Sequence, residues 1–136
     1  MGSEMCIRDS HRAGAQRSGQ RYVFPETVVG NVRVFLELAG RFSARVGYLG
    51  SWGFALQVDE LAGAKAHLPN AIDPYRLPAY SEPMYASAAT ASTRQLQEFP
   101  GTPTESLCGQ LVRGLGLENF SKLKTFFEEP NDESTA

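Results

Sequence analysis

Few side chains in this sequence are of a type that does chemistry. A hydrolase needs a nucleophile, a base and an acid that orients the base. The histidines are His11 and His67. His67 with Asp59, Glu60 or Asp73 comes nearest to a base with an acid partner, although a surface or satisfied histidine explains it better. Serines are plentiful, but none sits in the Gly-x-Ser-x-Gly elbow that strains a nucleophile into reach. Cys108 falls inside an apolar helical stripe, where a thiol behaves as a small hydrophobe. No His, Cys, Asp or Glu cluster has the spacing of metal ligands. Gly109, Gly114 and Gly116 lack the following lysine of a phosphate-binding loop. The expectation is a chain that is not an enzyme, with no catalytic residue, no metal and no cofactor.

Contact chemistry is better represented. Arg33, Glu37, Arg41 and Arg45 recur every fourth residue. On a helix that row is one face, and Glu37 can pair with either neighbour for about 0.3 kcal/mol. A solvated face fits it. So does a contact for an acidic partner or a phosphate backbone. Trp52 and Phe54, near Arg45, could stack on a ligand or base, or simply pack in a core. Tyr75 and Tyr80 lie in a proline-rich stretch that reads as a cover over an apolar surface. The candidate contact residues are therefore Arg33, Arg41, Arg45, Trp52, Tyr75 and Tyr80.

These residues need elements to hold them. Val28, Val32, Phe35, Ala39, Phe42, Val46 and Leu49 alternate steps of four and three, an apolar stripe on one helix face. Pro25 and Glu26 suit its start and Gly47 its end. Val29, Leu36 and Leu38 widen the stripe. Trp52, Phe54, Leu56 and Val58 alternate with small or polar residues, the period of a half-buried strand. Ala64 to Leu68 can return as a second strand or form a short helix. Pro69, Pro74, Pro78 and Pro83 break both helix and ladder. A second helix is expected from Ser81 as N-cap to about Phe99, with Tyr85, Ala89, Ser92, Leu96 and Phe99 on one face. A third starts at Thr102-Pro103-Thr104-Glu105, read as a capping box, and ends at Gly116. Leu117, Phe120, Leu123 and Phe127 continue as a short fourth.

The ends differ from the middle. Gly2 to Asp9 back-translates as GGC TCG GAG ATG TGT ATA AGA GAC, which matches a transposon-end sequencing adaptor. Residues 1–10 are therefore expected to be an adaptor artefact, and the natural chain to begin upstream of His11. Residues 11–21 read as a linker, 22–127 as a single domain, and 128–136 as an acidic disordered tail. Six arginines against two glutamates between Ser10 and Val58 make that half basic, whereas Leu117 onward has two lysines against five acids. With 136 residues and 42% hydrophobic content, the composition is that of one globular domain. No run approaches the roughly 20 apolar residues of a membrane helix. No apolar leader of signal-peptide length is present, so a cytoplasmic location is expected.

The order of elements resembles a known family. Val46-Gly47-Tyr48-Leu49, Trp52-Gly53-Phe54, Leu61-Ala62-Gly63-Ala64, Tyr80-Ser81-Glu82-Pro83-Met84-Tyr85, Ala89-Thr90-Ala91-Ser92 and Leu111-Val112-Arg113-Gly114-Leu115-Gly116 follow one another. This resembles the C-terminal region of bacterial proteins with an N-terminal Schlafen-like, AlbA-type DNA-binding domain, often described as ATP-binding. The resemblance spans about Val23 to Gly116. It implies a non-catalytic accessory or interaction domain that serves a protein partner or an upstream DNA-binding domain of the same chain. It transfers no binding residue, because that family's site lies in the N-terminal domain. A small-ligand-binding domain, with the Tyr75–Tyr80 loop as a lid over Trp52, is an alternative. An enzyme fragment whose active site is mostly missing is another. The expected fold is α+β, about three helices on a small antiparallel sheet. Its expected core is Val28, Val32, Phe35, Phe42, Val46, Trp52, Phe54, Leu56, Val58, Leu96, Leu107, Leu111 and Leu115.

Overall fold

A computed structural model describes residues 14–17, 20–67, 77–117 and 121–128. It is a small α+β fold. In chain order, strands β1 (Gly14–Arg17) and β2 (Gln20–Val23) lead into helix α1 (Pro25–Val46). Strands β3 (Ser51–Val58), β4 (Lys65–Ala66) and β5 (Tyr85–Ser92) follow, then helices α2 (Thr93–Glu98), α3 (Gly101–Gly114) and α4 (Ser121–Lys124). A 3-10 turn at Thr125–Phe127 ends the described chain. Strands β3 and β5 form an antiparallel pair, and β2 lies between β1, antiparallel to it, and β4, parallel to it.

Helix α1 begins and ends where its sequence says it should. Pro25 opens it with a preset φ, and Glu26 places a carboxylate against the positive end of the helix dipole. Gly47 closes it in the left-handed region at φ 73°, and its N–H donates to Ser43 O. The buried face, however, is rotated from the expected stripe. Val28, Val29, Leu36, Ala39, Gly40 and Ser43 are buried, whereas Phe42, Val46 and Leu49 are exposed. The reason is a polar anchor. The indole N–H of Trp52 donates to Ser43 Oγ at 2.8 Å, and the Ser43 hydroxyl donates to Ala39 O at 2.8 Å. Gly40 faces the backbone of Leu96 so closely that an added Cβ would sit 3.1 Å from it. Small residues let the helix approach, and the larger apolar ones turn outward.

Strand β3 is as expected, but its partner is not the Ala64–Leu68 segment. It pairs with β5, from Ser51↔Ser92 through Val58↔Tyr85. The expected second helix from Ser81 is therefore corrected. Its N-terminal half is strand, and only Thr93–Glu98 is helical. The pairing explains why an alanine-rich segment is extended: Trp52 faces Ala91 and Phe54 faces Ala89, large against small. Ser92, not Ser81, is the N-cap, and it forms a capping box with Gln95. Lys65–Ala66 forms β4 beside β2 instead. The expected capping box at Thr102 is also absent. Helix α3 starts two residues earlier, with Pro100 as its N-cap, and the buried Thr104 hydroxyl donates to Pro100 O at 2.8 Å. Within residues 11–21, read as linker, the described positions are strand, β1 and the start of β2.

Helices α1 and α3 pack together and α3 covers β5. Trp52, Phe54, Tyr85 and Ala91 point toward them, and Gly53, Ala55, Ala86, Ala88 and Thr90 point to solvent. The sheet thus has one packed face and one open face of small side chains. Leu36, Leu96, Leu107, Leu111 and Leu115 complete the core. Val32, Phe35, Leu56 and Val58 only border it.

Candidate functional site

Four places on the molecule merit inspection for function: the Trp52 cluster, two shallow clefts and the outer face of α1.

Trp52 is closed off. Only 1% of it is exposed, with Phe54 stacked on it at 5.9 Å and Phe42 and Tyr48 edge-on at 6.4 and 5.9 Å. Aromatic neighbours fill its faces and Ser43 takes its N–H, so neither ring face is open to a ligand. Tyr80, expected as part of a lid over Trp52, lies elsewhere. Its backbone pairs with Ala64 and Gly63, and its ring lies against Gly114. Burial raises the Tyr80 phenol above its ordinary pKa, and Tyr85 and Glu82 add to the shift. Tyr75, His11 and Asp73 lie outside the described residues. Cys108 is buried, and burial pushes its thiol up to about 12. It is a packing residue without a thiolate at neutral pH.

The clefts are small. One, of about 280 Å³, is lined by Phe24, Glu26, Thr27 and His67. His67 stands edge-on to Phe24 at 5.5 Å and to Tyr22 at 5.9 Å. Glu26 lines this cleft with His67, whereas Asp59 and Glu60 do not. Spacing along the chain does not reveal that Glu26 and His67 share a cleft, because β2 and β4 meet in parallel from distant parts of the chain. The other cleft, of about 200 Å³, lies between α3 and α4 and is lined by Glu105, Val112, Arg113, Leu123 and Lys124 among others. Both fall below the roughly 300–1,000 Å³ of ordinary ligand pockets. Among the described residues no three His, Cys, Asp or Glu side chains group as metal ligands. None of their helices is long and apolar enough to cross a membrane.

The arginine row divides. Arg33 is committed inside the molecule. Its Nε pairs with Glu37 at 3.0 Å, and its guanidinium donates to Phe126 O at 2.8 Å and Glu128 O at 2.7 Å. It ties the end of the described chain to α1. Arg41 and Arg45 are exposed and form no ion pair among the described residues. They flank the apolar side chains that the rotation of α1 turned outward. Val34 and Leu38 are each 54% exposed, Phe42 is 42% and Val46 is 56% exposed. Those four recur every fourth residue, so they form one continuous ridge beside the row Glu37, Arg41 and Arg45. An apolar ridge rimmed by charge is the usual surface of a contact site. Sequence reading assigned Phe42 and Val46 to the core, and the missed signal was Ser43. A serine between apolar residues, followed by a tryptophan that needs an acceptor, marks the inner face.

Comparison of the chain with protein-family models, curated proteins and solved structures finds no match.

Proposed function

We propose that the chain is a non-catalytic interaction domain that docks through the outer face of α1. The observation that carries this reading is the exposed ridge of Val34, Leu38, Phe42 and Val46 beside Arg41 and Arg45. Burial of such side chains contributes about 25 cal/mol per Å² of apolar surface removed from water. Arg41 and Arg45 orient an acidic or polar rim. The resemblance of the segments from Val46 to Gly116 to the C-terminal region of Schlafen-like, AlbA-type proteins supports an accessory role beside an upstream DNA-binding module in a cytoplasmic bacterial protein. The unbroken coding sequence upstream of His11 tests that context, and a natural start near His11 would overturn it.

The docking face itself is tested by site-specific photocross-linking in the source cells. A benzophenone amino acid at Leu38 is expected to give discrete adducts, and the same group at Gln110, exposed on α3, is not. Equal labelling at both sites, or none at Leu38, overturns the reading.

A further inference from the structure

We propose that one occupant of this face is a second copy of the chain, with the two α1 helices antiparallel about a twofold axis. The proposal rests on the docking role of α1 and adds the partner. A twofold interface must be complementary to itself, each residue meeting its counterpart in the reversed order. The α1 ridge has that property. Val34, Leu38, Phe42 and Val46 are spaced symmetrically about the level of residue 40. Reversal places Val34 at the level of Val46 of the second copy and Leu38 at the level of its Phe42. The bulkier residues lie at the centre, where the helices meet, and the valines toward the ends.

Charge selects the same arrangement. The row beside the ridge runs acidic to basic, Glu37 then Arg41 then Arg45. A parallel pair would set the two rows on opposite sides of the seam, where Glu37 meets no arginine of the other row. An antiparallel pair sets the rows on the same side and brings Glu37 of each chain, which Arg33 of its own chain holds through one carboxylate oxygen, into the reach of Arg41 and Arg45 of the other. Both ridges follow every-fourth-residue lines, which interdigitate at a crossing angle of about −50°. Such a crossing confines the contact to the centre of the helices. The area is therefore below the roughly 800 Å² per partner of a standard interface, and the dimer is a weak one that depends on concentration.

Sedimentation velocity on the purified chain, from low micromolar to several hundred micromolar, tests this. The weight-average mass is expected to rise toward twice the monomer. Leu38→Glu is expected to hold the protein monomeric throughout, with an unchanged circular dichroism spectrum. Arg45→Glu is expected to weaken association about tenfold, and Arg41→Glu added to it to weaken association further. Arg45→Glu leaves the internal Arg33 contacts untouched, so its loss of association is not a folding defect. A monomer at every concentration overturns the second-copy proposal, as does association that Leu38→Glu leaves unchanged. The docking reading is judged separately by the mass of the Leu38 photoadducts. Adducts at other masses from a monomeric protein keep the docking face and remove the second copy, whereas absence of adducts removes both.

Discussion

Replacing Ser43 by alanine tests why α1 is oriented as it is. Ser43 has no exposed surface and Trp52 has 1%, so water cannot take the place of the lost hydroxyl. The Trp52 N–H at 2.8 Å would be left buried without an acceptor. Stranding a buried donor costs about 1–3 kcal/mol. Alanine recovers roughly 0.5 kcal/mol of helix propensity, so the net loss is about 1–2 kcal/mol. A chain of this size loses about 4 °C of Tm per kcal/mol, so the drop is readily measured. The chain contains a single tryptophan, so the fluorescence of urea unfolding reports the site itself. The midpoint is expected to fall with the slope unchanged, and the native emission to shift as the indole loses its acceptor. A double-mutant cycle with Trp52→Phe, followed by circular dichroism, isolates the pair and is expected to give a coupling of about 1 kcal/mol. A Ser43→Ala protein within about 0.3 kcal/mol of the original, or a cycle with no coupling, would refute the account.

Other outcomes follow from the same packing. Gly40→Ala places a Cβ 3.1 Å from the Leu96 backbone, and is expected to destabilise the fold by about 1–2 kcal/mol despite the better helix propensity of alanine; a Tm equal to or above the parent contradicts it. Gly47→Ala meets no neighbour but must adopt φ 73°, so the loss is purely conformational, about 1 kcal/mol by denaturant titration. Arg33→Ala frees the carbonyls of Phe126 and Glu128, and hydrogen exchange over Leu123–Phe127 is expected to quicken more than exchange in α1. Cys108 bears on pH dependence. Its folded pKa of about 12 lies above the ordinary 9.0, so its contribution is complete below pH 9 and is lost as pH rises from there to about 12. In a Cys6→Ser background, a disulfide reagent at pH 8 should therefore label the chain only after unfolding.

The boundaries of α1 were legible in the sequence because Pro25 and Gly47 impose backbone conformations that do not depend on the rest of the fold. Its orientation was not legible. Valine and phenylalanine at three- and four-residue steps mark a face that could be buried, and only the demand of Trp52 for an acceptor decides in favour of Ser43. Strand β5 was misread for a related reason. Tyr85, Ala89, Ser92 and Leu96 fit a helical face, whereas Tyr85, Ser87, Ala89 and Ala91 fit a strand equally well. Propensity favoured the helix, and a partner strand far away in the chain overrode it. Of the candidate site residues, Arg41 and Arg45 stand on an open surface. Arg33 and Trp52 are held by internal bonds, which no spacing rule reveals because their partners, Phe126, Glu128 and Ser43, lie on other elements.

The pairing of β3 with β5 also bears on how the chain is made. Ser51–Val58 contains no charged residue, and its only sheet partner among the described residues is Tyr85–Ser92. Translation proceeds at about 5–20 residues per second, so β3 leaves the ribosome seconds before the strand that satisfies it. During that interval an uncharged, aromatic-containing segment is exposed with unpaired backbone groups, the character of a sequence that adheres to its own kind. Arg45 before it and Asp59 and Glu60 after it act as charged gatekeepers over the nascent strand. Neutralising all three should lower the soluble yield of newly made protein more than it lowers the stability of the finished fold.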